Sequence, residues 1–143
     1  AVSVFDIFNG AGRPLFGAIH DAVGPRATVV LAFVLIAVAA ATSLLAGGGS
    51  TVAFFAGFGI FWLMLGGWLA IAPAATSRLF GPRHYARNYG IMYTAYGVGA
   101  LAGSAAAGAL HARFGSFDPL FVFILVLCGL GIVIALGTLP GRR

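Results

Sequence analysis

Residues 27–77 carry no charge at all, and neither do residues 88–112 or 119–141. Uncharged runs of that length do not suit the helices of a soluble domain, which need a polar face toward water. A helix crossing the hydrocarbon core of a bilayer needs about 20 predominantly apolar residues. The first run has room for two such helices, because Gly47-Gly48-Gly49-Ser50 divides it, and the other two have room for one each. The apolar stretches are unbroken rather than alternating, so a membrane β-barrel does not fit. With the N-terminal stretch the expectation is an all-α polytopic membrane bundle of five transmembrane helices. Their expected bounds are 1–20, 28–46, 52–77, 88–110 and 119–139.

The formal net charge of +5 would fit a nucleic-acid partner, but its distribution does not. Arg26, Arg78, Arg83, Arg87, Arg142 and Arg143 all fall on one side of the five-span arrangement, and Arg113 falls on the other. That asymmetry is a positive-inside bias. It puts the 20–27 and 78–87 loops and the C-terminus in the cytoplasm, in a cell (inner or plasma) membrane. The N-terminus, the triple-glycine loop and the 111–118 loop then lie outside. For most of these arginines, solvated loop charge that sets orientation is sufficient explanation. No nucleic-acid interaction is expected. No signal-peptide pattern is visible. The chain opens at Ala1, already inside a span, with no initiator methionine and an odd number of spans. Those features point to a piece of something longer.

Arg13 is the exception to the loop rule. It lies within the first apolar stretch, with Asp6 and Asn9 upstream. An arginine at the bilayer centre costs about 2.5–3.5 kcal/mol on insertion scales, and intramembrane charges mark substrate or ion pathways. Positions 6, 9 and 13 are spaced by three and four, so on a helix they share one face. That face offers a fixed positive charge to a small anion in a protein-lined cavity.

The first loop reads Gly17-Ala18-Ile19-His20-Asp21-Ala22-Val23-Gly24-Pro25-Arg26. It resembles the G-x-x-x-D-R-x-G-R-R cytoplasmic loop of the major facilitator superfamily, with Gly17, Asp21, Gly24 and Arg26 matching and Ala22 and Pro25 departing. Physically, the glycines allow a tight turn and close helix approach. The aspartate can pair with an arginine or cap a neighbouring helix. An ordinary polar turn is the plainer alternative. Further pieces recur in order: Asn9-Gly10-x-Gly12-Arg13, Pro73-Ala74, Phe80-Gly81, Asn88-Tyr89-Gly90 and Tyr93-Thr94-Ala95. Together they resemble the oxalate/formate antiporter and monocarboxylate transporter families over nearly the whole chain. The resemblance implies a partial C-terminal six-helix half, its five spans equivalent to helices 8–12 of a twelve-helix fold.

In that family an arginine in helix 8 faces the central cavity and holds the substrate carboxylate, and Arg13 matches it. The Arg13-Pro14 pair is similar to the monocarboxylate branch, where the residue four before the arginine is often a proton-accepting aspartate. Here that residue is Asn9, which does not titrate. Asp6 lies one turn further along. It either replaces the missing carboxylate in proton coupling, neutralises Arg13, or sits at the external interface. Oxalate transporters of the family carry a lysine in a Tyr-Thr-Ala-Lys-Gly run of helix 11, whereas this chain reads Tyr93-Thr94-Ala95-Tyr96-Gly97. A desolvated dicarboxylate needs two cationic partners. One arginine with tyrosine hydroxyls suits a monocarboxylate better.

Tyr89, Tyr93 and Tyr96 share a face of the fourth span, and buried hydroxyls need partners, which makes them pocket candidates. Phe54, Phe58, Phe61 and Leu65 share a face of the third, where packing is the commoner role. Gly99, Gly103, Ser104 and Gly108 line the fourth span with small residues, which suggests close helix contact. Pro14 and Pro73 are expected to kink their spans. Cys128 stands alone in the last span as a small packing residue. His20, His84 and His111 show no metal-ligand spacing. Asp6, Asp21 and Asp118 are too dispersed for paired-carboxylate hydrolysis. No cofactor, metal or enzyme activity is expected.

The resemblance therefore implies secondary active transport of a small carboxylate by alternating access, as part of a longer transporter. The substrate class is a monocarboxylate, or an oxalate- or formate-like anion. Arg13 binds the carboxylate, Asn9, Tyr93 and Tyr96 donate or accept hydrogen bonds, and a proton or counter-anion is coupled. The implied partners are that anion, the lipid bilayer and an N-terminal half absent from this chain. The main alternative is a structural, non-transporting bundle that associates through its small-residue faces. A receptor-like relative that binds without transport is a further one.

Overall fold

The computed structural model describes residues 2–46 and 49–141. Five helices follow one another: α1 (Val2–Val23), α2 (Pro25–Leu45), α3 (Thr51–Phe80), α4 (Tyr85–Phe114) and α5 (Asp118–Thr138). Each expected span is present, and the described residues are helical apart from short turns. The helices begin and end where the turn chemistry dictates. Pro25 opens α2 at its first turn, where the missing N–H has no intrahelical role. The Ser50 hydroxyl accepts from the Ala53 amide at 3.3 Å and caps α3. α4 ends at Gly115, whose left-handed φ of 69° lets its amide donate back to the His111 carbonyl at 2.8 Å.

Several expected bounds fall short of the observed ones by three or four residues: α1 runs to Val23, α2 starts at Pro25 and α4 runs to Phe114. α3 also runs on to Phe80 and α4 starts at Tyr85, because a charge ends an apolar run without ending a helix, arginine being a good helix former. Gly81 and Pro82 break the helix instead. Pro14 and Pro73 lie inside α1 and α3, which continue through them. Gly47, Gly48, Arg142 and Arg143 lie outside the described residues, so part of the triple-glycine loop and two of the orienting arginines are not placed.

α3 is central. It packs most extensively on α1, then on α2, and more lightly on α4, while α2 is sandwiched between α3 and α5. The core gathers Phe16 from α1, Val29 and Ala32 from α2, Met64 and Ile71 from α3, and Ala135 from α5. α1 and α3 come together backbone to backbone. A Cβ on Gly12 would collide with the Leu63 carbonyl, and one on Gly66 with the Asn9 carbonyl. Small residues of this kind let helices approach where lipid supplies no hydrophobic drive.

The small-residue face of α4 is different. A Cβ at Gly99, Gly103 or Gly108 meets nothing within 4 Å, Ser104 is exposed, and no residue of α4 is buried. The close contact expected at that face is not made within the described residues. It is made at Gly12, Gly66 and Gly67, because α3 lies against α1 and touches α4 only lightly.

α2, α3 and α5 are each long and apolar enough to cross a bilayer. α1 and α4 have the length, at 22 and 30 residues. They also carry the polar groups: Asp6, Asn9 and Arg13 on one, four tyrosines and Asn88 on the other. Much of the outer surface is hydrocarbon. Ile7, Leu101, Val133 and Ile134 are all more than half exposed, which is unfavourable in water and ordinary against acyl chains.

Candidate functional site

Arg13 lies at the middle of α1 and is exposed, as is Asp6, while Asn9 is half-buried. The continuous helix holds Asp6 two turns, about 10 Å of rise, from Arg13, and no ion pair joins them among the described residues. The neighbouring face of α1 explains the exposure. Phe5, Gly12 and Phe16 turn into α3 and are buried there, so Arg13 and Asp6 lie off the packing seam, while the Asn9 backbone belongs to it and meets Gly66.

Tyr93 and Tyr96 are on α4, which makes no close backbone approach to α1; both helices pack on α3. The described residues therefore do not bring Arg13 into contact with the tyrosines. They do bring both to one depth. Asn9 and Gly12 meet α3 at Gly66 and Gly67, near the middle of that helix. Trp68, the next residue, opens a cavity of about 320 Å³ between α3 and α4. Its walls are Trp68, Leu69 and Ala72 on one side and Tyr89, Tyr93 and Tyr96 on the other. The tyrosines form a ladder, with ring centroids 5.6 Å apart for Tyr89 and Tyr93 and 5.4 Å for Tyr93 and Tyr96. Beside it the Thr76 hydroxyl, buried, lies 2.8 Å from the Ala72 carbonyl and 3.1 Å from the Met92 sulfur.

The phenylalanine stripe of α3 is packing. Phe5 of α1 stacks on Trp62 and Phe55 and is within 6.4 Å of Phe58, and Phe54 stacks on Phe58 at 4.5 Å. Phe54 and Phe58 also edge a wider cavity of about 830 Å³, which reaches Ser50, Ser116 and Asp118 at the end of the bundle opposite the arginine-rich turns.

At the other end, the loop motif is built around one residue. Gly24 has φ 85°, a left-handed value that strains any side chain, and it joins α1 to α2 without a gap. The Thr28 hydroxyl donates to its carbonyl at 2.8 Å. The Arg78 guanidinium lies 3.7–4.0 Å from where a Gly24 Cβ would be. The Arg26 guanidinium lies 3.9 Å from where a Gly141 Cβ would be, whereas a Cβ on Gly17 would meet nothing within 4 Å and Asp21 is exposed. His20 is 2 % exposed, with neither ring nitrogen hydrogen-bonded among the described residues. Sequence reasoning missed Arg78, His20 and Trp68 here. Arg78 is 54 positions from Gly24 in the chain, and no local pattern announces that contact.

Three helices long and apolar enough to cross a bilayer, with charged and phenolic groups concentrated on the other two, define a polytopic membrane protein. The Major Facilitator Superfamily model matches residues 1–143, and the chain belongs to that family, whose members are transporters rather than enzymes. It is 29% identical over 139 residues to a protein named oxalate:formate antiporter from Oxalobacter formigenes, covering 97% of this chain and 33% of that one. It is 37% identical over 119 residues to an uncharacterized 38 kDa protein of Thermoproteus tenax, covering 80% of this chain and 29% of the relative. It is 31% identical over 101 residues to YhjX, an uncharacterized MFS-type transporter of Escherichia coli K12, covering 71% of this chain and 25% of that protein. The chain thus spans about a third or less of the length of these curated relatives. No solved structure gives a significant match.

Proposed function

We propose that these helices are the C-terminal part of a transporter that moves a small carboxylate anion across the membrane by alternating access. The observation that carries this reading is Arg13, a fixed cation at the centre of a helix whose other flank is buried against α3. Intramembrane cations are costly and are retained for ligands or ion paths. The printed name of the Oxalobacter relative supports a carboxylate as that ligand. In this reading the forked guanidinium takes the carboxylate bidentately, and Asn9, Tyr93 and Tyr96 supply hydrogen bonds from either side of α3. Asp6, two turns from Arg13, is the candidate for proton coupling, with counter-anion exchange as the other mode. The N-terminal half that completes the site is supplied from outside these residues. Gly24, under Arg78, and Gly17, Asp21 and Arg26 belong to the cytoplasmic gate. Gly99, Gly103, Ser104 and Gly108 leave an open α4 face for helices of the other half.

Competition of lactate, formate and oxalate against a labelled monocarboxylate, in the transporter that contains these helices, tests the substrate class. Tyr96→Lys restores a second cation beside the site. It should raise the potency of oxalate relative to lactate by about tenfold, because a second charge partner matters most for a dianion. Failure of all three anions to compete would overturn the carboxylate reading.

The arginine-rich end is cytoplasmic in this proposal. A cysteine placed at Arg83, on a Cys128→Ala background, should resist an impermeant thiol reagent in intact cells. It should react once the membrane is permeabilised. External labelling of intact cells would invert the topology.

A further inference from the structure

The cavity between α3 and α4 has a chemistry that a bare formate or oxalate does not use. From its walls and its depth we infer that it receives the hydrocarbon body of the transported anion, so that the preferred substrate is a monocarboxylate bearing a ring-sized or branched apolar group. The inference rests on the carboxylate reading of Arg13 and adds what the rest of the substrate must be.

The walls are nearly all carbon: the Trp68 indole, Leu69, Ala72, and the tyrosine rings of α4. Its volume is about 320 Å³, and an apolar cavity of about 150 Å³ is enough to hold benzene. The walls are also pre-formed. Trp68 meets Phe33 of α2 edge to face, with centroids 5.5 Å apart. Phe33 in turn lies against Gly131 of α5, where an added Cβ would come within 2.6 Å of its ring. On the α4 side the tyrosine ladder is continuous, and the contact between Thr76 and Met92 ties the two helices together beside the opening. A site whose walls are already fixed loses little conformational freedom when an apolar group enters.

Depth links the cavity to the cation. Trp68 and Leu69 directly follow Gly66 and Gly67, the residues that meet Asn9 and Gly12. The cavity therefore begins within one turn, about 5 Å of rise, of the α3 residues that pack against Gly12, the neighbour of Arg13. Aromatic boxes also attract organic cations. This one has no carboxylate in its wall and a fixed arginine at the same depth, and that field selects anions. Tyr93 and Tyr96, both about half exposed, line the cavity and bring phenol hydroxyls that can hydrogen-bond a substrate.

The test is uptake of labelled benzoate and labelled formate by the intact transporter at neutral pH, each competed with a series running from formate and oxalate through acetate and butyrate to isovalerate and benzoate. Benzoate and isovalerate should compete at concentrations at least about tenfold below formate and oxalate, the discrimination an apolar pocket provides. Ala72→Leu and Ala95→Leu, at lining positions on α3 and on α4 respectively, fill the cavity, and each should lower the benzoate-to-formate preference by about tenfold. Competition that is flat with size, or that favours formate and oxalate in the unmodified protein, overturns the inference whatever the variants do. If Arg13→Ala abolishes uptake while both filled variants keep the original size preference, the cavity assignment falls and the carboxylate reading stands. If Arg13→Ala leaves uptake intact, the carboxylate reading falls, and this inference with it.

Discussion

Arg13→Ala should abolish the proposed carboxylate uptake and leave the protein in the membrane at its normal level. The two halves of that expectation have separate physical grounds. Removing one partner of a desolvated, hydrogen-bonded charge pair strands the other, and such truncations weaken binding by on the order of a hundredfold or more. The carboxylate loses both the charge and the fork that orients it. Folding, by contrast, does not depend on the side chain. It is exposed in the bundle, and the face that holds α1 to α3 is made by Phe5, Gly12 and Phe16. Deleting the cation also removes its desolvation cost. Arg13→Lys keeps the charge on a flexible stem without the planar fork, and should retain uptake at about a tenth of the normal affinity. The measurement is the half-saturating concentration of a labelled monocarboxylate, normalised to surface level. A normal value in Arg13→Ala would remove Arg13 from the site.

Gly66→Ala, a single added methyl group, should do more damage to folding than any substitution on the exposed face of α4. The new Cβ falls on the Asn9 carbonyl oxygen. Backbone cannot rotate out of the way as a side chain can, so α1 and α3 must separate along the seam that carries the most extensive contact in the bundle. Overpacking costs about 1–3 kcal/mol even where side chains can adjust. Parting the helices also opens the buried contacts of Phe16 with Gly67 and Met64. Gly90→Ala is the control. It adds the same methyl group inside α4, where nothing lies within 4 Å, and relieves the entropy of a helical glycine by about 0.5–1 kcal/mol. The melting temperature in detergent should fall sharply for the first and hold or rise for the second. Equal values would mean that the α1–α3 seam is looser than its geometry indicates.

The contrast between these glycines separates what was legible in the sequence from what was not. Gly99-x-x-x-Gly103 has the spacing of a contact motif, and Gly12 and Gly66 do not stand out. Spacing reports which residues share a helix face. It carries no information on which other helix arrives there. In the bundle α3 takes α1 as its main neighbour, so the small residues that matter are those at the Asn9–Gly12 and Leu63–Gly67 levels. The same holds at the arginine-rich end. Gly24 and Asp21 were recognisable as a loop motif from neighbouring residues. Arg78, which lies over Gly24, comes from the far end of α3 and belongs to no local pattern. Within the candidate site, Arg13, Asn9, Tyr93 and Tyr96 were legible because a charge or a phenol in an apolar span is conspicuous. Trp68 was not, because one more aromatic residue in an apolar span reads as packing.

The sequence by itself determined that the chain is helical, that it crosses a membrane, and where its spans lie to within a few residues. Those properties follow from the length of uncharged runs and from turn residues such as Gly24-Pro25 and Gly81-Pro82, which act over one or two helical turns. The positive charge at mid-span was equally plain, since its desolvation cost attaches to a single residue. Only the tertiary structure decided that α1 and α4 both pack on α3 without approaching each other, that Asn9 and Gly12 meet α3 close to the level of Trp68, and that Trp68 closes a cavity against α4. Helices in lipid choose their neighbours by close packing of particular surfaces rather than by hydrophobic pattern. α2, α3 and α5 are apolar enough to satisfy the bilayer in many arrangements, and close contacts such as those at Gly12, Gly66 and Phe33 help select among them.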